Sequence, residues 1–161
     1  MSKKLIFWIL CFLFSFFGFY LIEHPFTVKP HVISGNGNFG ILAIFLFTPV
    51  FILSWILTYK MARAKFAANT KMTIGIILFA LAGCVLLMVE INDYISDLIT
   101  ALGGTPDHPK SRIYRFGWFN QYTNSLYFNV YTFFLSHIIT VILGILSAMR
   151  RMQPNKKTRH S

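Results

Sequence analysis

The sequence predicts an all-α membrane protein in which four transmembrane helices form a small bundle. Only 12% of its 161 residues are charged and 55% are hydrophobic, whereas soluble domains carry about 25% charged residues. The hydrophobic residues are concentrated in four runs without Asp, Glu, Lys or Arg, each long enough to cross a bilayer as a helix. These runs do not alternate between apolar and polar residues, which favours helices over a β-barrel.

A single four-helix domain is predicted for residues 1–151, with spans at about residues 5–22, 41–59, 72–89 and 127–149. The first span follows a short basic segment, as in a signal peptide. It is longer than the usual apolar core of a signal peptide, is rich in aromatic residues and lacks a small-residue cleavage site before Glu23. We therefore interpret it as an uncleaved first helix.

The second span contains Pro49 near its middle. Proline removes one backbone hydrogen bond from a helix, so a kink is predicted there. The hydroxyl groups of Thr48 and Ser54 are close enough in sequence to bond to the carbonyl groups that are freed. A basic loop without acidic residues is predicted at 60–71.

The third span is predicted to extend outward as an amphipathic helical segment, residues 90–102. Its acidic residues Glu90, Asp93 and Asp97 recur at i, i+3 and i+7 and therefore share one face. Another face is apolar and consists of Ile91, Ile95, Leu98 and Leu102. Two glycines follow at 103–104, and glycine commonly ends a helix. We therefore predict one helix that leaves the membrane on its acidic side.

The distribution of charge predicts the orientation. Eleven of the 15 Lys and Arg residues lie near the N-terminus, in the 60–71 connection or after the fourth span, and all five acidic residues lie in the segments of the opposite side. Because basic residues accumulate in short cytoplasmic loops, both termini are predicted to be cytoplasmic. The predicted location is the plasma membrane of a bacterium. Residues 152–161 are predicted to form a disordered basic tail.

The net charge of +10 also bears on partners. The basic residues are spread over segments next to the spans, without a module that reads bases, which argues against a nucleic-acid partner. The predicted partners of these segments are the lipid bilayer and its anionic headgroups.

Three groups of residues are candidates for an interaction site. The first is the acidic face of Glu90, Asp93 and Asp97, whose oxygen atoms could hold a cation or meet a basic partner. We favour the interpretation that this is the solvated side of an amphipathic helix.

The second group lies in the long polar segment 103–126. Arg112, Arg115 and Trp118 occur there among many aromatic residues, a combination typical of binding sites. An aromatic belt at the membrane–water interface, with the loop lying flat on the surface, is the interpretation that we favour.

The third candidate is His137, which lies within the fourth span. An ionisable residue inside a span is costly and is a candidate functional residue. We favour a neutral imidazole that is hydrogen-bonded to another helix. The histidines outside the spans, His24, His31 and His108, lack the spacing of a metal motif, and both cysteines lie inside apolar runs. No metal site, cofactor site or catalytic residue is therefore predicted.

The sequence favours a non-catalytic protein that binds or modulates another membrane component. The partner would be a second membrane protein or another copy of the chain. The spans contain no Asp, Glu, Lys or Arg, which most ion-coupled transporters would use. An oligomeric transporter or channel is the alternative, and an intramembrane enzyme that uses His137 is the second alternative.

Small residues predict a contact between the third and fourth spans. They occur on the fourth span at Gly144 and Ala148 and on the third at Gly75, Ala80 and Gly83. Because small residues allow helix backbones to approach closely, we expect these two helices to touch.

Overall fold

The computed structural model describes residues 2–35, 37–65 and 70–152. Within these ranges every regular element is helical: α1 (Lys3–Glu23), α2 (Phe39–Lys65), α3 (Thr70–Ala101), α4 (Asn124–Tyr127) and α5 (Val130–Met152). Helices α1, α2 and α3 and the α4–α5 segment are each long and apolar enough to cross a membrane. The predicted four-helix, all-α class is therefore confirmed. The tail predicted to be disordered is 152–161. Met152 is the last residue of α5, and residues 153–161 lie outside the described residues.

Helix α5 lies at the centre of the bundle. It packs against α2 and α3 and also meets α1, while α1 packs mainly against α2. Helix α3 is peripheral, since only 11% of its most apolar stretch is buried. Helix α3 packs mainly against α5. An apolar crevice lined by side chains of both α1 and α3 marks an open side of the bundle between these two helices.

The main core is aromatic. Phe19 of α1, Phe51 of α2 and Phe133 of α5 are almost fully buried and meet edge to face, with ring centroids 4.7 Å apart for the first pair. Gly18 allows this approach, because a Cβ atom there would lie 2.7 Å from the rings of both Phe47 and Phe51. Aromatic pairs of this geometry contribute beyond the area that they bury.

Side-chain hydrogen bonds link the helices inside this apolar bundle. The indole of Trp8 donates to the hydroxyl of Thr58 at 2.9 Å and joins α1 to α2. Three pairs join α2 to α5: Ser54 with His137, Trp55 with Ser136 and Tyr59 with Ser147. Such bonds contribute roughly 0.6 kcal/mol each on average in membrane helices.

Helix α2 is longer than the sequence predicted. It continues through residues 60–65, which were expected to belong to a loop. Ala, Met, Arg and Lys favour helix, and the two basic residues of the last turn interact well with the helix dipole. The helix also runs past Pro49, and the Thr48 hydroxyl donates to the carbonyl of Ile44 at 2.7 Å.

Helix α3 has 32 residues, about 48 Å at the usual rise, whereas the apolar part of a bilayer is about 30 Å thick. The predicted extension beyond the apolar run is therefore confirmed. The helix ends as the glycine pair predicted. The amide of Gly103, at φ 80°, donates to the carbonyl of Thr100, and the amide of Gly104 donates to that of Ile99. These two bonds form a Schellman motif.

One continuous helix was predicted for 127–149, but the fourth apolar run is interrupted. It begins in α4 and resumes in α5 after a break at residues 128–129. Asn129 causes the break because it caps α5: its Oδ1 accepts from the amide of Thr132 at 2.9 Å, and the Thr132 hydroxyl accepts from the amide of Asn129 at 3.0 Å. This reciprocal arrangement satisfies amide groups that a helix start leaves unpaired.

The predicted contact between α3 and α5 is present. The small residues that were expected to mediate it do not all lie in this contact. Gly144 faces α2, since a Cβ atom there would lie 2.7 Å from the carbonyl oxygen of Tyr59 and 2.9 Å from the Cβ of Ala62. Gly75 faces open space, and a Cβ at Gly83 would make only an ordinary contact with Ile138. The correction follows from the central position of α5, which presents different faces to α2 and α3.

Candidate functional site

Two connections, residues 24–38 and 102–129, meet at the same end of the bundle, which we call the loop end. The opposite end, which holds both ends of the described chain, is the basic end. At the loop end the amide of Val28 donates to the carbonyl of Gln121 at 2.8 Å. The Gln121 side chain donates to the carbonyl of Ser34 at 2.9 Å, and the Tyr122 hydroxyl donates to that of Val32 at 3.2 Å. These bonds join the two connections into one folded unit.

A pair of asparagines fixes this unit to the start of α2. The side-chain amide of Asn124 donates to the Oδ1 of Asn38 at 2.6 Å, and that of Asn38 donates in return at 3.2 Å. Gly40 makes room for the pair, because a Cβ atom there would overlap the amide of Asn124. Asn124 is fully buried, so its bonds replace contacts with water.

The predicted flat surface loop is wrong for much of the segment after α3. Ile113 is fully buried and packs with Leu102 and Tyr122. The amide of Arg112 donates to the carbonyl of Leu102, and that of Arg115 to the carbonyl of Pro106. The apolar side of the α3 extension supplies the surface on which this segment folds, so the segment is held close to the helix end.

The folded segment presents exposed side chains that we call the aromatic patch: Phe116, Trp118, Phe119 and Tyr127, each at least 41% exposed. The rings of Phe119 and Tyr127 are stacked, with centroids 4.9 Å apart. The candidates Arg112 and Arg115 are also exposed, and the guanidinium of Arg115 lies 5.1 Å from the ring centre of Tyr114. A groove of about 370 Å³ lies beside Phe116 and Phe119 and is otherwise lined mainly by polar and glycine residues.

The acidic candidates do not converge with this patch into one site. Glu90, Asp93 and Asp97 are exposed on α3. In the part of the chain that the structure describes, no group of three or more His, Cys, Asp or Glu side chains is placed to hold a metal ion. His24, His31 and His108 are likewise exposed.

His137 is buried between α5 and α2 and is separate from the loop end. Its Nε2 lies 2.9 Å from the hydroxyl of Ser54, and its Nδ1 lies 2.9 Å from the carbonyl of Phe133. Serine and histidine form this contact in hydrolases, where a third group orients the base. Here that third group is a helix carbonyl. An apolar crevice of about 300 Å³ reaches His137 from the open side of the bundle, and Ser54 is fully buried behind it.

The sequence did not single out Glu23 as a site residue, although it directly follows the first uncharged apolar run, as Glu90 follows the third. Its carboxyl group accepts a hydrogen bond from the amide of Val130, the first residue of α5, at 3.1 Å. It is also hydrogen-bonded to the hydroxyl of Tyr94, which is bonded to Ser125 in turn. Glu23 and Tyr94 line a cavity of about 900 Å³ at the loop end.

Composition, helix length and fold together define a small multi-pass helical membrane protein. No family model matches the chain, and neither a curated protein nor a solved structure matches it.

Proposed function

We propose that the protein is a non-catalytic protein of the plasma membrane that binds a second membrane protein through its loop end. This proposal rests on the aromatic patch, in which exposed aromatic side chains are presented by a folded segment. Trp, Tyr and Arg are the residues that most often dominate the binding energy of protein interfaces.

The support beneath the patch favours a protein partner over simple contact with lipid. An interfacial belt requires only that aromatic residues lie at the right depth. Here the segment that carries the aromatic residues is held in place by hydrogen bonds within the loop end. The Thr123 hydroxyl donates to the carbonyl of Trp118 at 2.7 Å, and the side chain of Asn120 donates to that of Gly117 at 2.7 Å. A preorganised surface loses less entropy on binding, which suits specific recognition.

The charges near the patch indicate the chemistry of the partner. Arg112 and Arg115 are exposed on the same folded segment. We propose that the partner presents a loop with an apolar side chain that packs on the exposed rings of the aromatic patch and a carboxylate for one of these arginines. Arginine pairs with carboxylates through two parallel hydrogen bonds, which adds specificity.

We further propose that the basic end faces the cytoplasm. Lys60, Arg63 and Lys65 on α2 and Arg150 and Arg151 on α5 occupy this end. Their charges attract anionic lipid headgroups, which are abundant on the cytoplasmic side of the membrane. With the basic end in the cytoplasm, the loop end lies outside the cell.

Site-specific photo-crosslinking in the native membrane tests the proposal. A photoreactive residue at Phe119 should give one dominant protein adduct. The same residue at Leu86, which is 69% exposed on the lipid-facing side of α3, is the matched control and should give mainly lipid adducts. Arg115→Ala together with Trp118→Ala should abolish the adduct at Phe119. Lipid adducts alone at Phe119, or an adduct that survives both substitutions, would contradict the proposal.

Flux assays separate this function from an oligomeric transporter or channel. Liposomes that contain only the purified protein should show no protein-dependent conductance or solute flux. Reproducible flux that rises with the amount of protein would favour the transporter instead.

A further inference from the structure

We propose that the cavity beside Glu23 binds the ammonium headgroup of an aminophospholipid, whose acyl chain lies along α1 on the open side of the bundle. The inference uses a different site from the aromatic patch and does not depend on the protein partner.

The Glu23 carboxyl group is incompletely paired. Its two donors are a backbone amide, that of Val130, and a phenol, that of Tyr94. Within the described ranges no lysine or arginine forms an ion pair with it. The adjacent His24 attracts the carboxylate electrostatically, but it is exposed and its ring packs edge to face against Tyr20, with centroids 4.5 Å apart. A partly buried carboxylate that has no lysine or arginine partner is costly and is stabilised when a further cation binds.

The chemistry of the cavity wall suits an ammonium group. Tyr20 and Tyr94 line the cavity of about 900 Å³ together with Glu23. Aromatic rings beside a carboxylate are typical of sites for organic ammonium groups, which they attract through their electron-rich faces. Divalent metal ions require several oxygen ligands, and this cavity offers a single carboxylate. Lys29 lies on the same wall, where its ammonium group can meet a phosphate.

Apolar space continues from Glu23 into the bundle. A second cavity of about 240 Å³ shares Tyr20, Glu23 and His24 with the first and is otherwise lined by Phe16, Phe19 and Val130. Farther along α1, Trp8 and Phe12 line the crevice of about 300 Å³ beside α3. Trp8, Phe12 and Phe16 recur every four residues, so they lie along one side of α1. A headgroup at Glu23 therefore has apolar hollows for its chain in the direction of the membrane interior.

Native mass spectrometry of the purified protein in a mild detergent tests this site. The protein is mixed with phosphatidylethanolamine or with phosphatidylglycerol of identical acyl chains, and the bound lipid is measured. We expect selective retention of phosphatidylethanolamine by the wild type. Glu23→Gln keeps an acceptor for the amide of Val130 but removes the charge, and should weaken this binding about tenfold or more. Glu90→Gln, an exposed carboxylate on α3, is the control and should bind like the wild type.

Two further measurements keep the test decisive. If Glu23→Gln fails to fold, Tyr94→Phe removes only the hydroxyl that bonds to Glu23 and should weaken retention severalfold. Tyr131→Phe is the control, because the Tyr131 ring lies 6.2 Å from that of Tyr94 but does not line the cavity. Phosphoethanolamine, which has no acyl chains, should displace the lipid only at far higher concentrations. Equal retention of both lipids by the wild type, unchanged binding by both variants, or equal potency of phosphoethanolamine would overturn the proposal.

Discussion

The Nε2 atom of His137 lies 2.9 Å from the Oγ atom of Ser54, and this contact joins α5 to α2 inside the bundle. The other ring nitrogen, Nδ1, lies 2.9 Å from the carbonyl oxygen of Phe133, which can only accept a hydrogen bond. In a neutral ring Nδ1 therefore carries the hydrogen, and Nε2 accepts from the hydroxyl of Ser54. The pair satisfies both nitrogen atoms without a charge, as the sequence led us to favour.

Ser54→Ala should destabilise the bundle because it leaves the Nε2 of His137 without a donor in apolar surroundings. We expect the free energy of unfolding in detergent to fall by about 1–3 kcal/mol. Ser15→Ala is the matched control: Ser15 is equally buried, and its hydroxyl has no hydrogen-bond partner in the described structure. It should leave stability unchanged or slightly higher. Equal losses for the two variants would contradict the role given to the Ser54 bond.

Gly144→Ala should weaken the contact between α2 and α5. The new methyl group would lie 2.7 Å from the carbonyl oxygen of Tyr59, an atom of the backbone that cannot rotate away. We expect a lower melting temperature in detergent. Gly75→Ala meets nothing within 4 Å and should raise stability by about 0.5–1 kcal/mol, since alanine favours helix over glycine. A higher melting temperature for Gly144→Ala would show that this helix contact is misassigned.

Cysteine labelling of intact cells should report the proposed orientation. Lys110 is exposed at the loop end and Lys65 is exposed at the basic end, whereas the native Cys11 and Cys84 are buried. An impermeant maleimide should label Lys110→Cys directly and Lys65→Cys only after the cells are permeabilised. Direct labelling of Lys65→Cys with protection of Lys110→Cys would reverse the topology.

Neutralising the acidic face of α3 should have little effect. Glu90→Gln, Asp93→Asn and Asp97→Asn together remove three exposed charges, and exposed charges contribute only tenths of a kcal/mol each. We expect an unchanged melting temperature and an unchanged protein adduct at Phe119. If the adduct is lost at low ionic strength in the triple variant, and from the wild type only at high salt, the acidic face belongs to the binding site after all.

Local features of the sequence sufficed to predict the spanning helices and the end of α3. These features are the lengths of the apolar runs and the position of the glycine pair. The apolar runs predicted the spanning helices because a bilayer requires a minimum length of uncharged helix. The pair at 103–104 predicted the end of α3 because glycine adopts the left-handed backbone that a Schellman motif needs. Two errors in the bounds of the helices were also local: the propensity of residues 60–65 for helix was underestimated, and the cap at Asn129 was overlooked.

The neighbours of each helix were decided only in the tertiary structure. Lipid is as apolar as the interior of the bundle, so hydrophobic periodicity within a span does not identify its buried face. Close approach at Gly18 and Gly144 and pairing of polar side chains select the neighbours instead. Glu23 and Val130 are separated by 107 residues, and Ser54 and His137 by 83. By itself the sequence determined the number of helices long and apolar enough to cross a membrane and the end of α3, whereas packing and hydrogen bonding placed Glu23 beside a cavity and His137 beside Ser54.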